Sequence, residues 1–382
     1  MKTFDAAVVG AGSFGVWTAR ALREKGLSVA LADAYGPGNS RASSGGESRV
    51  IRMGYGPDDV YTTFAAESLP AWRDLSARAD PPLFHATGVL WLGRAEDAYM
   101  EATAAALHRR GIVNESLERG ELARRFPQID LGPIAWGLLE PESGALLARR
   151  AVRVLAAEEA RAGVELVGAS ALPAPARSGR LETVSLSTGE KLSAGAFVFA
   201  CGPWLGKVFP ELVGPRLFVS RQEVFYFGAP AGDARFRPPA MPVWLDLTEE
   251  VYGVPDLEGR GFKLAPDVHG PPFDPDSGDR AVSSAGITAV REYVGRRFPA
   301  LKHAPLLAAE VCQYENTSNG DFVLDRHPEL SNAWLAGGGS GHGFKHGPAV
   351  GRYLASLVAG GAAVEPRFAL AAKDTVQKRT VH

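Results

Sequence analysis

Apolar and polar positions follow two rhythms along this chain. Short unbroken apolar runs at Asp5–Val9, Val164–Val167, Phe197–Ala200 and Ala333–Ala336 predict strands covered on both faces, as in a parallel sheet. Helical spacing appears over Ser13–Lys25, over Ala145–Ala162 with Val152, Leu155 and Ala156 on one face, and over Gly347–Val358. A strand is predicted at Ser28–Asp33. Asp58 reads as the N-cap of a helix reaching Ala79, with Pro70 as a point of kinking. Short strands at Gly88–Leu92 precede a helix over Glu96–Arg110. The segment Leu217–Phe227 is rich in aromatic and β-branched residues and predicts antiparallel strands. Proline-rich loops surround Pro238, Pro239, Pro271 and Pro272. Strand–helix–strand units at both ends and in the middle, with aromatic strand-like material between them, predict two domains interleaved in sequence.

Length and charge narrow the function classes. At roughly 150 residues per domain, 382 residues suit two domains. Forty-one basic residues against 43 acidic ones give a net charge of −2, which disfavours a nucleic-acid grip or an anionic-membrane patch. Two cysteines, Cys201 and Cys312, cannot form a disulfide framework, so a reducing compartment fits. Lys2 followed by Ala6–Val9 imitates a signal peptide, but Asp5 and the glycines at 10, 12 and 15 break the apolar core. No stretch of about 18 apolar residues occurs. The expectation is a soluble, cytoplasmic monomer with a frayed tail at Lys378–His382. The 44 glycines follow no period, so they are expected singly, where backbone approaches something closely.

Gly10-Ala11-Gly12-Ser13-Phe14-Gly15 fits G-x-G-x-x-G, and it leaves a strand, opens a helix and is followed by a second strand ending in Asp33. Gly10 makes the tight turn, Gly12 admits a pyrophosphate, and Gly15 lets helix and strand pack closely. The helix N-terminus offers unpaired N–H groups to phosphate. Asp33 suits a ribose hydroxyl and disfavours a 2′-phosphate. The pattern predicts a Rossmann-type dinucleotide domain, in an α/β chain that is α+β overall; it does not separate NAD from FAD.

Further motifs follow: Ser43-Ser44-Gly45-Gly46-Glu47-Ser48-Arg49-Val50-Ile51-Arg52, Val311-Cys312-Gln313-Tyr314-Glu315-Asn316-Thr317, Asp325-Arg326-His327-Pro328 and Gly339-Ser340-Gly341-His342-Gly343-Phe344-Lys345. In this order the chain resembles the monomeric sarcosine oxidase family of flavoprotein amine oxidases, within the D-amino-acid-oxidase-like fold. The resemblance spans nearly the whole chain and implies FAD. It implies an FAD-binding domain of residues 1–85, 145–215 and 310–382, and an antiparallel-sheet substrate domain of residues 86–144 and 216–309.

By this resemblance Cys312 anchors the flavin through its sulfur; taken alone it reads as a buried free cysteine. Arg49 and Arg52, three apart, would share one side of a helical turn or tight bend. The resemblance sets Arg49 against the flavin and gives Arg52 and Lys345 the substrate carboxylate, which a guanidinium can pair bidentately. It makes Lys263 the oxygen-activating lysine and Tyr252 a substrate-site tyrosine. The cofactor set is Gly10, Gly12, Ser13, Phe14, Gly15, Asp33, Ser43, Ser44, Arg49, Cys312, Gly339, Gly341, His342, Gly343 and Lys345. The run Gly337–Gly341 is expected to form a nest of N–H groups for the flavin's electron-rich edge. His342 and His346 are spaced i, i+4 but lack the zinc-protease glutamate, and no metal is expected.

Some positions depart from that family. Ser44 and Gly45 stand where it carries histidines, Asp267 stands where it has a histidine four residues after the lysine (His269 follows two further on), and a tyrosine–threonine pair becomes Tyr314-Glu315. Trp244 is a candidate pocket lining or core aromatic. The implied reaction is oxidation of an amino-acid-like amine to an imine, with O2 becoming hydrogen peroxide. A flavin dehydrogenase serving a quinone or carrier protein, a non-catalytic electron-transfer subunit and an NAD-linked dehydrogenase are the competing readings.

Overall fold

The computed structural model describes residues 2–173 and 177–378; Arg379–His382 of the expected frayed tail lie outside them, while Lys378 donates its amide to the Ser318 carbonyl at 2.9 Å. Strand β1 (Thr3–Val9), helix α1 (Ser13–Glu24) and strand β2 (Val29–Ala32) form the first strand–helix–strand unit. Every side chain from Ala6 to Val9 is buried, as a strand inside a parallel sheet requires. β1 pairs in parallel with Lys191–Phe199 on one side and β2 on the other. Glu165–Val167 extends the parallel sheet beyond β2, and Ala333–Gly337 extends it beyond Lys191–Phe199. Helix α1 and the helix Gly347–Val358 cover one face, sharing a core with Val16, Leu22, Val350 and Leu354. Phe197, Phe199, Phe209 and Leu335 fill the other face.

A second sheet runs in the order Leu306–Asn316, Phe218–Phe227, Phe262–Pro266, Val251–Val254, Val243–Asp246, Val89–Gly93, Trp136–Glu140 and Glu115–Glu118. All its pairings are antiparallel except that of Val243–Asp246 with Val89–Gly93. Leu306–Asn316 begins ahead of residue 310 and pairs with Phe218–Phe227, so Cys312 rides on the second sheet. That strand's far end returns to the first sheet, where the Ser340 amide donates to the Glu315 carbonyl at 2.9 Å. The two sheets therefore meet along the strand that carries Cys312, Tyr314 and Glu315.

A third sheet has three strands, with β3 (Arg49–Ile51) and Phe84–His85 flanking Gly144–Leu146. This corrects two expectations. The helix expected from Ala145 begins at Ala148, because Gly144–Leu146 pairs with β3 and its buried apolar side chains are satisfied there. Arg49 and Arg52 sit on an extended segment instead of a helical turn, so they do not share a face by spacing. Helix α2 (Asp59–Ala77) runs unbroken through Pro70; the Asp58 carboxylate accepts from the Val60 amide at 3.2 Å and caps it. Trp244 is a core residue, fully buried and stacked on Tyr293 with centroids 5.8 Å apart. Among the described residues no helix is long and apolar enough to cross a membrane.

Candidate active site

A cavity of about 550 Å³ opens at the carboxyl ends of the parallel strands, the usual ligand position in such sheets. It is lined by Gly10, Gly12, Ser13 and Phe14 after β1, by Asp33 and Tyr35 after β2, by Cys201 and Gly202 after Phe199, and by Gly339, Ser340 and Gly341 after Gly337. Gly10 has φ +102°, and a Cβ there would stand 2.2 Å from the Ala200 carbonyl oxygen, so only glycine makes this turn. A Cβ on Gly15 would stand 1.8 Å from the Gly10 carbonyl oxygen, which is the close helix–strand packing expected of the third glycine. The Asp33 carboxylate accepts the Ala11 amide at 2.7 Å and the Tyr35 amide at 2.9 Å, which pins the acid to the lip of the cavity. Helix α1 opens with neither a side-chain cap nor an acidic residue in its first turn. Its first N–H groups thus remain available to an anion. Volume, glycine cradle and helix N-terminus fit a dinucleotide such as FAD.

Ser43, Ser44 and Arg49 line the cavity at the side where Gln313 and Tyr314 enter it. The Arg49 guanidinium donates to the Ser43 and Ser48 carbonyls and lies 3.2 Å from the Cys312 sulfur. Cys312 does not itself line the cavity, but its neighbours on both sides of the contact, Arg49 and Gln313, do.

Beyond Arg49 the protein buries further cations. Lys263 donates to the Ser48 carbonyl at 2.8 Å and sits 5.5 Å from the Tyr252 ring centre. Burial first, and then the Arg49 charge, bring its pKa down to about 7. Arg52 stacks on Tyr55 at 4.3 Å and on Trp91 at 4.7 Å, and donates to the Gly54 carbonyl. Lys345 donates to the Tyr55 hydroxyl at 2.6 Å and to the His342 carbonyl at 2.8 Å. Burial, with Arg52 close by, drives its pKa well below the usual lysine value. Behind Tyr55, His346 contacts the phenol oxygen at 2.8 Å and is fully buried. Burial pushes the Tyr252 phenol up to about 12 and the neighbouring Tyr314 phenol well above its ordinary value.

The fold thus gathers two sets. Gly10, Gly12, Ser13, Phe14, Asp33, Ser43, Ser44, Arg49, Gly339, Gly341 and Gly343 line the cavity, with Gly15 packed beneath them. Arg52, Tyr252, Lys263 and Lys345 form a second cluster beyond Arg49 and do not line it. The His342 side chain points elsewhere: its ring stacks on Phe322 at 4.9 Å, and it joins Tyr61 and His346 in an aromatic nest. Among the described residues no group of three or more metal-ligating side chains forms.

The glycine loop differs from the expected open nest. The Glu315 carboxylate accepts the Gly339 amide at 3.2 Å, and the Ser340 amide goes to the Glu315 backbone. One Glu315 oxygen is buried without a partner, and burial lifts its pKa to about 7. A carboxyl is held there between Gly202 and the loop, so the Gly339 and Ser340 N–H groups serve the protein itself. Sequence reasoning also missed Tyr55, whose only signal was its place three residues after Arg52, and Glu140. The buried Glu140 carboxylate accepts the Met53 amide at 2.7 Å and the Trp91 indole at 2.9 Å, fixing the Arg52 turn.

Comparison with known proteins agrees with this geometry. The profile of the family described as FAD dependent oxidoreductase matches residues 5–357. The human peroxisomal sarcosine oxidase is 33% identical over 362 residues, covering 93% of this chain and 92% of that protein. Monomeric sarcosine oxidase of Bacillus sp. (strain B-0618) is 30% identical over 394 residues, with 99% of each chain covered. The crystal structure of L-proline dehydrogenase from P. horikoshii superposes with a TM-score of 0.83, covering 97% of each chain at 19% identity, which is a likeness of fold.

Proposed function

The chain belongs to the FAD-dependent oxidoreductase family, and from that premise we propose that it oxidises the C–N bond of an N-alkyl or other amino acid. Amine plus O2 would become imine plus hydrogen peroxide, and water would then hydrolyse the imine. FAD, when bound, supplies the two-electron acceptor that O2 restores. The observation that carries the reading is the group formed by Arg49 in the wall of a dinucleotide-sized cavity and, beyond it, Arg52 with the buried Lys263 and Lys345.

In this reading Arg52 and Lys345 hold the substrate carboxylate. Tyr55 orients both: it stacks under the guanidinium and accepts one ammonium proton, while the His342 carbonyl accepts another. Tyr252 and Tyr314 close the amine site, and their raised pKa values keep both phenols neutral. Lys263 would hold its proton at Nζ near the developing charge of reduced oxygen, which an ammonium stabilises. Arg49 would serve the cofactor, and Cys312 would form the covalent link to it. The enzyme would act as a cytoplasmic monomer, with residues 1–85, 145–215 and 310–382 binding FAD and residues 86–144 and 216–309 forming the substrate domain.

Purified protein incubated with a panel of N-methyl and D-amino acids is expected to release peroxide in proportion to substrate. A flavin-loaded preparation silent across the panel overturns the reading. Acid precipitation tests the tether: colour stays in the pellet for the wild type and moves to the supernatant for Cys312→Ala.

A further inference from the structure

The two cations assigned above to the substrate carboxylate converge on Tyr55. The Arg52 guanidinium lies 4.3 Å from its ring centre, while Lys345 Nζ lies 5.2 Å from that centre and donates to the hydroxyl at 2.6 Å. The chain leading to Lys345 is part of the cavity wall, since Gly343 and Phe344 line it, and the Trp72 indole holds the Lys345 carbonyl at 2.7 Å. Behind the phenol stands His346, which the sequence offers only as half of an i, i+4 histidine pair without a metal. It is fully buried, and its Nε2 lies 2.8 Å from the Tyr55 oxygen.

The Tyr55 hydroxyl has one proton to give and two lone pairs to fill, and an ammonium only donates, so Lys345 takes a lone pair. The phenol proton then needs an acceptor, and two imidazole nitrogens face it. His346 Nε2 at 2.8 Å is in the normal range, whereas His342 Nδ1 at 3.4 Å is a weak partner. Burial first, and then the Lys345 charge, push the His346 pKa well below the ordinary histidine value, so its ring is neutral and can accept. A phenol that donates is also a better acceptor, because hydrogen bonds in a chain polarise one another. Burial and Arg52 oppose the ammonium form of Lys345, while Asp267, which accepts the Tyr314 phenol at 3.1 Å, and Glu140 favour it. Without His346 the Tyr55 proton would turn to Lys345 Nζ and favour the neutral amine, which cannot pair with a carboxylate. Resting on the amine-oxidation reading above, we propose that His346 is a positioning residue of the carboxylate site. By accepting the Tyr55 proton it turns a phenol lone pair to Lys345 and holds the ammonium that meets the substrate.

The test uses propanoate as an inert probe of the flavin-loaded protein, read by perturbation of the flavin's visible absorption. His346→Leu removes the acceptor and is expected to weaken propanoate binding about 5-fold with flavin content unchanged. His346→Gln returns an acceptor and should bring the affinity back to within about 2-fold of the wild type. Tyr55→Phe should weaken binding about 10-fold. Adding His346→Leu to Tyr55→Phe should cost nothing further, because the histidine acts only through the phenol. His346→Phe, which keeps a ring among Tyr61, Phe64 and Phe322, replaces the leucine variant if that one does not fold. Wild-type affinity after removal of the imidazole overturns the proposal. So does a loss of the same size in the Tyr55→Phe background, which would mark a packing role alone. Lys345→Met and Arg52→Gln separate this claim from the reading beneath it. If both weaken propanoate while His346→Leu does not, the carboxylate site stands and the histidine has no part in it. If the wild type does not bind propanoate, or neither variant weakens it, the carboxylate site falls and the proposal falls with it.

Discussion

The cavity and the cation cluster next to it recognise charge by opposite means. Around the cavity the protein presents backbone: Gly10, Gly12 and Gly339–Gly343 bring main chain to the ligand surface, and the uncapped start of α1 supplies dipole and N–H groups. Past Arg49 it presents side chains, three of them cationic (Arg52, Lys263 and Lys345), propped by phenols and carbonyls. Backbone donors carry no net charge to desolvate, so presenting them costs less than burying an ammonium. Buried ammonium and guanidinium groups resist burial, and the falling pKa values of Lys263 and Lys345 measure that resistance. On the proposed function, the first region would hold a permanent group and the second would gain from an arriving anion.

Substitutions in each region should therefore fail differently. The largest effect is expected of Gly10→Ala. Its Cβ would collide with the Ala200 carbonyl, and the protein should lose flavin or fail to accumulate, with at least about a 100-fold loss of flavin retention in any soluble fraction. The ratio of visible to ultraviolet absorbance reads this, and a fully yellow variant would break the contrast. Arg52→Gln comes next. Losing one charge-assisted pair of about 1.5–3 kcal/mol should lower kcat/KM for a carboxylate substrate roughly 10–100-fold with flavin content unchanged. Flavin loss instead would merge the two regions into one.

The smallest effect sharpens the comparison, because Glu315 places an ionisable group inside the backbone-lined region. Its folded pKa of about 7 lies above the ordinary 4.5. The folded protein is then protonated, and the unfolded chain ionised, between those values. The stability Glu315 contributes is complete below 4.5 and is lost as pH rises through 7. Glu315→Gln should remove that slope and be more stable than the wild type at pH 8 by about 1–3 kcal/mol, with little difference near pH 4.5. Urea titrations at the two pH values decide it; parallel pH dependence of both proteins would show that Glu315 is not buried as a carboxyl.

The residues legible in the sequence are those whose role is set within a few neighbours. The turn after β1, the start of α1 and Asp33 depend on contacts within one strand–helix–strand unit, and these positions could be read directly. The cap at Asp58 was readable for the same reason. Ala145 was misread because its apolar run satisfies a helix period and a strand equally well, and pairing with Arg49–Ile51 decided between them. Glu315 appeared only as a departure from a family pattern, since nothing local says that its carboxyl is buried under the glycine loop.

By itself the sequence determined a dinucleotide cradle, an alternating α/β order and, through resemblance, the residues worth examining. Local backbone geometry forces such features: a left-handed turn needs glycine, and an apolar run needs cover on both faces. Only the tertiary structure decided which charges meet. Arg52, Asp267, Tyr314 and Lys345 lie on four separate segments, and spacing along the chain carries no information on their proximity. Electrostatic energy depends on distance through the folded interior and on the loss of solvent there. Those quantities exist only once the two sheets have closed around the cluster.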